Sequence, residues 1–377
     1  MAFKDIHKLK KIVEVQKESI ETDYLVVGKD AFAISLYKEL VQKFGEDKVR
    51  LLSEDKIVSS DLLFKGPSTV RGEANKAVFR LLYPNLAVQE INSPSIFYKD
   101  LTWKAFGGRS KSETLKYDEE FYVPSFFKVK EEELYPWISE DDSLYEELNQ
   151  KAYQVKVKKI HYNDGKFTVE CINGTEFHTP KLFFGKSPAF FLKSFSDLSK
   201  LSNDFIQFCE STQTISGLYI KYLFNKPLSD IKETMFIPLS YTHEWGHFVG
   251  EFKETSKGQL ADFFHYIDAD HASEEDISRT IRALKKSFEK IFENFSKINL
   301  TEFISLEEEL ACLKIDDEVF HKSKSHDLDF LNKLFFIGKN APIDLDWCAT
   351  NSFEYSAKEI NHLSRALLVE REVLKKI

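Results

Sequence analysis

The sequence YLVVGKDAFA, residues 24–33, decides how the N-terminal part of this chain folds. Its first four residues are apolar and end at Gly28, as is typical of a short buried strand that runs into a tight turn. Gly45 then closes a helical pattern, and KVRLL at 48–52 has the composition of a second strand. The stretch therefore predicts a strand–helix–strand unit. The helix pattern rests on apolar residues at spacings of three and four, namely Ile34, Tyr37, Val41 and Phe44.

The turn itself has the layout of the dinucleotide-binding fingerprint G-x-G-x-x-G/A. Gly28 and Ala33 satisfy the first and third positions, but Asp30 stands at the second. Glycine at that position lets the backbone approach a pyrophosphate, whereas aspartate adds bulk and a negative charge. One like-charge pair at about 4 Å, with an effective dielectric constant near 20, costs about 4 kcal/mol.

The remainder of the chain contains further regular patterns. Two turn sequences, at 163–165 (NDG) and 173–174 (NG), are flanked by β-branched and aromatic residues and predict a β-meander. Segments 235–241, 247–252 and 259–268 predict three more strands, and Ser273 with Asp276 predicts the start of a long amphipathic helix. Near the C-terminus, KLFFIG at 333–338 predicts a strand, and a helix is expected in 351–368.

This order resembles the flavin-containing amine oxidase superfamily, which includes protoporphyrinogen oxidases and carotenoid desaturases. The resemblance rests on the N-terminal unit, on KLFFGKSPAFFLKSF at 181–195 and on LFFIGKNAPIDLDWCATNSFEYSAKEI at 334–360. It covers most of the chain from about residue 22, in layout more than in identity. It implies an α/β fold with a Rossmann-type FAD/NAD(P)-binding domain of the GR2-like kind. That domain is expected in 20–90, 146–198 and 330–377, a β-sheet-plus-helices substrate domain in 91–145 and 199–329, and a lead-in at 1–19.

The resemblance also implies where FAD would bind, and this chain departs from the family there. The acidic residue that holds the ribose falls at Ser53, with Glu54 next to it, and the family's Gly-Asp is here Gly338-Lys339. The Gly-Gly-Arg that usually follows the acidic residue is missing from 55–75. The expected cofactor-binding positions are Gly28, Asp30, Ala33, Ser53, Glu54, Gly338 and Lys339.

Two departures suggest a common hypothesis. Asp30 is placed to cap the following helix, so that its carboxylate takes the anion position at the helix N-terminus. Lys339 would then pair with Asp30, and a protein charge pair would replace the pyrophosphate. The alternative is that both residues are ordinary exposed loop charges.

Two functions remain open on these grounds. The first is a flavoprotein-fold pseudoenzyme with impaired or lost FAD binding that binds a small-molecule ligand or a protein partner. The second is a working FAD-dependent oxidoreductase that acts on an amine or an apolar small molecule, with Lys339 offsetting Asp30. No catalytic residue is assigned. Aromatic residues of the expected substrate domain are candidates for a cavity wall, although a core or sheet position is the simpler interpretation: Tyr241, Trp245, Phe264 and Tyr266.

One string suggests a third class, a zinc hydrolase. His243, Glu244 and His247 form H-E-x-x-H, which binds zinc when it is helical. Nearby Pro238 and two glycines disfavour a helix, and the position of the third ligand is Lys253. A β-hairpin without metal is expected instead. A P-loop ending in 185–187 (GKS) also fails, because Pro180 stands at its first glycine position.

Composition narrows the class of partner. The net charge of −9 disfavours a nucleic-acid partner, and no apolar run approaches the roughly 20 residues of a membrane span. The four cysteines have no metal-ligand or disulfide-scaffold spacing, which is typical of reduced thiols in a cytoplasmic protein.

Overall fold

The fold is described from a computed structural model of the 377-residue chain. It describes residues 18–58, 66, 68–86, 88–91, 94–105, 123, 125–138, 142–239, 247–255, 257–267, 273–324, 328–345 and 355–377.

The described residues contain strands gathered into four sheets. The strands are β1 (Ser19–Glu21), β2 (Tyr24–Val27), β3 (Val49–Ser53), β4 (Thr69–Arg71), β5 (Gln89–Glu90), β6 (Ile96–Lys99), β7 (Thr102–Ala105), β8 (Ser125–Lys128), β9 (Tyr153–Gln154), β10 (Val157–Asn163), β11 (Lys166–Cys171), β12 (Glu176–Thr179), β13 (Lys181–Phe184), β14 (Gln213–Phe224), β15 (Met235–Pro238), β16 (His247–Thr255), β17 (Gly258–Ile267), β18 (Leu300–Lys314) and β19 (Leu334–Phe336).

Helices connect and cover these sheets. They are α1 (Ala31–Phe44), α2 (Glu73–Leu82), α3 (Glu131–Leu134), α4 (Asp142–Lys151), α5 (Pro188–Ser194), α6 (Asn203–Ser211), α7 (Glu274–Ile291), α8 (Asp317–Lys324), α9 (Leu328–Leu331) and α10 (His362–Lys376).

A five-stranded parallel sheet, in the order β19-β13-β2-β3-β9, carries the N-terminal unit. Its central strand β2 is apolar and almost wholly buried, as expected for a parallel sheet covered on both faces. The crossover from β2 to β3 is α1, which buries Ile34 and Leu40 against the sheet and ends at Gly45 with φ of +95°. The strand–helix–strand unit predicted from the sequence is thus confirmed.

The predicted β-meander is also present. Strands β10, β11 and β12 are antiparallel, and their turns contain Gly165 and Gly174, both with positive φ. Strand β1 joins β12 in parallel, which completes a four-stranded sheet.

A seven-stranded sheet, in the order β18-β14-β17-β16-β15-β6-β7, forms the other large part of the molecule. Its strands β15, β16 and β17 are the three that the sequence predicted, and β6 and β7 form a further hairpin at 96–105. The hairpin turns at Asp100 and Leu101, both with positive φ, which no sequence pattern marked. Strands β4, β8 and β5 form a separate three-stranded sheet, in that order.

Helix α7 covers one face of the seven-stranded sheet. Its Leu284 and Phe288 are fully buried, and the Phe288 ring lies 5.2 Å from that of Phe263. The helix begins as predicted, because the Ser273 hydroxyl accepts a hydrogen bond from the Asp276 N–H at 3.2 Å. The C-terminal helix starts later than predicted, at His362, because Asn361 caps it. No helix in the described ranges is long and apolar enough to cross a membrane.

Candidate functional site

The candidate site is the edge of the parallel sheet where β2, β3, β13 and β19 end. In open parallel sheets, ligands bind at the carboxyl ends of the strands. This edge contains the seven cofactor-binding positions that the sequence predicted, in the segments 28–33, 53–54 and 338–339.

The first fingerprint position is built for close packing. The Gly28 N–H donates to the Leu52 carbonyl at 2.9 Å, which ties the β2 turn to the end of β3. A Cβ atom at Gly28 would lie 2.8 Å from the Ala33 Cβ, closer than real side chains come. Gly28 and Ala33 therefore keep the strand–helix packing of the fingerprint.

The second fingerprint position is occupied by a helix cap. Asp30 has extended backbone, and its Oδ1 accepts the Ala33 N–H at 2.8 Å. Its other oxygen faces the C-terminal loop, since a Cβ built on Gly338 would lie 3.0 Å from Asp30 Oδ2. A carboxylate of the chain thus holds a first-turn N–H of α1, where a dinucleotide-binding protein presents N–H groups to phosphate.

Further acidic groups act on the same place. Glu370 of α10 is buried and accepts a hydrogen bond from the Tyr135 hydroxyl at 2.7 Å. Burial raises the pKa of Glu370 to about 7, and the charges of Asp30 and Glu39 add to this rise. Burial and the neighbouring Glu370 and Asp30 raise the pKa of Tyr135. Two carboxyl groups, those of Asp30 and Glu370, therefore lie close to the start of α1.

The residues at the end of β3 are also engaged within the chain. Ser53 is buried; its hydroxyl donates to the Asp55 carbonyl at 2.6 Å, and its own carbonyl accepts the Val155 N–H at 2.8 Å. Glu54, the nearest acidic residue, forms an ion pair with Lys186, with 2.5 Å between Oε1 and Nζ. The acid that would hold a ribose hydroxyl is thus bound by a cation of the same chain.

Lys186 lies at this edge of the sheet, although the sequence did not predict it as a site residue. It follows β13, and its ammonium group lies 4.2 Å from the centre of the Phe190 ring as well as against Glu54. The next residue, Ser187, caps α5 by accepting the Phe190 N–H at 3.1 Å. Gly185 is held by a 2.7 Å hydrogen bond from its N–H to the Val27 carbonyl. Residues 185–187, whose sequence does not match a P-loop, therefore lie against the end of the central strand β2.

Lys339 lies next to the start of α10. Burial, Arg365 and Lys339 lower the pKa of His362, the first residue of α10, to about 4. The contact between Gly338 and Asp30 confirms that the two loops meet, while the pairing of Lys339 with Asp30 stays a prediction.

The face of the seven-stranded sheet opposite α7 carries the aromatic candidates that the structure describes. Phe264 and Tyr266 project from β17, with their ring centres 5.0 Å apart. Phe264 is buried and in contact with Gly66, in agreement with the simpler interpretation of a packed residue. Tyr241 and Trp245 lie outside the described residues.

The same face contains a buried charge network. Glu251 accepts hydrogen bonds from the N–H and the hydroxyl of Ser68 at 2.7 and 2.8 Å, and Lys128 lies 3.4 Å away. Asp262 accepts a 2.9 Å hydrogen bond from Lys253. Burial opposes both charges, yet the neighbouring lysines and N–H groups outweigh it and lower the pKa values of both acids. These carboxylates bind Gly66, Ser68 and Thr69 to the sheet.

The zinc interpretation receives no support from the described residues. His247 begins β16 and pairs with Pro238 of β15, so this end of the H-E-x-x-H string is extended rather than helical. His243 and Glu244 lie outside the described residues. Within the described ranges, no group of three or more His, Cys, Asp or Glu side chains is placed to hold a metal ion.

Comparison with known proteins gives a result at the level of fold. No protein-family model matches the sequence, and no curated protein matches it significantly. An oxidoreductase from Methanosarcina mazei matches with a TM-score of 0.53 at 11% identity, covering 94% of this chain and 100% of that chain. A triple mutant of putrescine oxidase matches with a TM-score of 0.50 at 9% identity, covering 95% and 98%.

The chain therefore has the mixed α/β fold of the amine-oxidase-like flavoproteins, as the sequence resemblance implied. At this low identity the likeness concerns the fold, and the chemistry has to be argued from the residues of this chain.

Proposed function

We propose that this chain is an amine-oxidase-fold protein with impaired or lost FAD binding, and that it acts by binding a small-molecule ligand or a protein partner. The observation that carries this proposal is the Asp30 carboxylate, which caps α1 and lies against Gly338. A pyrophosphate at this helix N-terminus would compete with that carboxylate for the Ala33 N–H and would be repelled by it. The repulsion at about 4 Å is worth about 4 kcal/mol at an effective dielectric constant near 20.

A second observation supports the same conclusion. Glu54 would have to give up its ion pair with Lys186 before it could accept a ribose hydroxyl. The two side chains are only 23% and 22% exposed. Binding a ribose hydroxyl would therefore break an ion pair that is partly shielded from water. Asp30, at the expected phosphate position, and Glu54, beside the expected ribose position, thus both bind other groups of the protein.

The domain division belongs to this proposal. We assign 20–90, 146–198 and 330–377 to a former dinucleotide domain and 91–145 and 199–329 to a ligand-binding domain. The division is supported by the separate parallel and seven-stranded sheets. The cofactor positions of the resemblance then have structural roles in this chain.

The second candidate is a working FAD-dependent oxidoreductase that acts on an amine or an apolar small molecule. It is favoured by Gly28 and Ala33, which keep the close strand–helix packing of a dinucleotide fingerprint. In that case FAD supplies the redox chemistry, and this chain would hold it with the loops at 28–33, 53–54 and 338–339.

Flavin titration separates the two candidates. The purified protein is expected to lack the visible absorption of bound flavin and to show no saturable quenching of FAD fluorescence. Asp30→Asn keeps the helix cap, since Asn and Asp cap equally well, but removes the charge. This variant should gain FAD affinity by about tenfold or more, because one like-charge contact is removed.

Glu210→Gln is the control, because it removes one acidic charge from an exposed position of α6, outside the edge of the parallel sheet. It should leave FAD affinity within about twofold, since an exposed charge beyond a Debye length is screened. Stoichiometric flavin in the wild-type protein would refute the first candidate. An unchanged affinity in Asp30→Asn would show that Asp30 does not oppose the nucleotide.

A further inference from the structure

A groove lies between α7 and the end of β15, on the face of the seven-stranded sheet that packs against α7. Its volume is about 460 Å³, which falls in the range of sites for small molecules, roughly 300–1,000 Å³. It contains none of the residues at the edge of the parallel sheet, so its occupancy does not depend on flavin binding.

Among the residues that the structure describes, the polar side chains that line this groove are cationic donors and hydroxyls. Four cations of α7 line it, namely Arg279, Arg282, Lys286 and Lys290, and no carboxylate lines it among the residues that the structure describes. At a rise of about 1.5 Å per residue, these cations extend over roughly 16 Å of helix. In a chain with a net charge of −9, this one-sided lining is a local positive field that attracts anions.

The four cations differ in the ion pairs that they form with acidic side chains. Arg279 pairs with Glu275 and Asp276 at 3.3 and 3.4 Å. Arg282 donates through Nε to the Ser278 carbonyl at 3.1 Å. In the described part of the chain, no carboxylate forms an ion pair with Arg282 or Lys286. These two side chains, one helical turn apart, are therefore placed to receive one anionic group together.

The floor beside them is apolar. Pro238 at the end of β15, Leu239 after it and Ile291 of α7 contribute apolar lining. Tyr98 of β6 closes one wall and is held there by Trp103, whose ring centre lies 5.1 Å away. A ligand that uses the whole groove therefore needs an anionic head and an apolar body.

We propose that this groove is a binding site for an amphiphilic anion, with a phosphate or carboxylate group on Arg282 and Lys286 and an apolar body on Pro238, Leu239 and Tyr98. Arg offers a planar pair of N–H donors to such a group, and Lys adds a point charge. The alkyl or aromatic body is held by burial of its apolar surface.

Calorimetric titration of the full chain with octyl phosphate tests the proposal. Octyl phosphate should bind saturably with one site per chain. Methyl phosphate lacks the octyl chain, and octyl glucoside carries an uncharged sugar in place of the phosphate. Each should bind at least about tenfold more weakly than octyl phosphate. Adenosine monophosphate is the second arm: tighter binding than octyl phosphate identifies the body as a planar base, and weaker binding identifies it as an alkyl chain.

The double variant Arg282→Glu with Lys286→Glu should lose at least about tenfold in octyl phosphate affinity, because two attractions become repulsions. Lys285→Glu is the matched control, since Lys285 is an exposed cation on the same helix that does not line the groove. It should lose clearly less affinity than the double variant, because the Lys285 side chain does not line the groove and cannot contact the bound anion. All the changed side chains are exposed, so melting temperatures should agree between variants and confirm folding.

Absence of saturable octyl phosphate binding would overturn the proposal. Equal losses in Lys285→Glu and in the double variant would also overturn it, because attraction to the helix as a whole would then explain the binding. Binding to anionic phospholipid vesicles without binding of monomeric octyl phosphate would overturn the proposal as well. It would show that the cations of α7 bind a flat membrane surface rather than a single ligand in the groove.

Discussion

The Nζ atom of Lys186 lies 2.5 Å from Oε1 of Glu54, and this ion pair joins the loops after β13 and β3 across the carboxyl edge of the parallel sheet. The strand between them, β2, carries the fingerprint turn. Together with the Asp30 cap, this pair places charged groups of the chain at the carboxyl edge of the parallel sheet.

Glu54→Gln should destabilise the protein modestly. The pair is less than one quarter exposed on each side, so its loss is expected to cost about 1 kcal/mol in the free energy of unfolding. Urea unfolding at low salt measures this loss. Asp55→Asn is the neighbouring control, because the Lys29–Asp55 pair is long, at 3.9 Å, and much more exposed, and its removal should change little. Equal effects of the two variants would contradict a specific role for the Lys186–Glu54 pair.

Gly338→Ala should be more costly than an ordinary glycine replacement. Gly338 has φ of +79°, and a Cβ there would meet Asp30 Oδ2 at 3.0 Å. We expect a loss of about 2 kcal/mol, of which about 1 kcal/mol is the backbone strain. Gly174→Ala, with φ of +88° in the turn between β11 and β12, measures the strain alone. Chemical denaturation that gives equal losses for both would show that Asp30 does not crowd Gly338.

Glu370→Gln should stabilise the protein at alkaline pH and have little effect at pH 4. The folded-state pKa of Glu370 is raised from 4.5 to about 7, so the folded state favours the neutral acid. Stability is therefore greatest below the unfolded pKa and falls as the pH rises through about 7. The full penalty is on the order of 3 kcal/mol, and glutamine removes it while still accepting the Tyr135 hydroxyl.

Melting curves of wild type and Glu370→Gln between pH 4 and pH 8 measure this difference. Glu210→Gln, at an exposed position of α6, is the control and should run parallel to the wild type. A difference between Glu370→Gln and wild type that stays constant with pH would contradict a raised pKa at Glu370.

Glu251→Gln should show the opposite dependence on pH. Burial opposes the Glu251 charge, but Lys128, Lys253 and Ser68 outweigh it, so the folded-state pKa is lowered. The stabilisation by this carboxylate is present above its unfolded pKa of 4.5 and is lost as the pH falls through the folded-state value. The variant should lose roughly 3–5 kcal/mol near pH 7, because Lys128 keeps a buried charge without its partner.

Denaturant unfolding of Glu251→Gln at pH 7 and at successively lower pH measures that loss. The wild type and the variant should converge in acid. A gap that persists unchanged below pH 3 would show that hydrogen-bond geometry, not charge, accounts for the effect of the substitution.

Much of the fold could be predicted from local sequence patterns. The N-terminal unit, the meander and strands β15 to β17 were predicted because apolar periodicity and turn residues act over a few positions. The hairpin of β6 and β7, at 96–105, was not predicted, because its turn places Asp100 and Leu101 at positive φ, a conformation that neither residue type favours.

The candidate site could be predicted in part. Asp30 as a helix cap followed from its position before an apolar helical stripe, and its Oδ1 does accept the Ala33 N–H. Glu54 was named, but its partner Lys186 was not, because the pair joins loops that are distant in sequence and adjacent only in the sheet order β13-β2-β3.

The sequence by itself determined the elements of this protein and the departure of Asp30 from the dinucleotide fingerprint, since both depend on residues a few positions apart. Only the tertiary structure decided which charges meet. It placed Lys186 on Glu54, Glu370 near Asp30, and the cations of α7 beside the end of β15. Long-range contacts of this kind depend on strand order and helix packing, which bring together side chains that no local pattern relates.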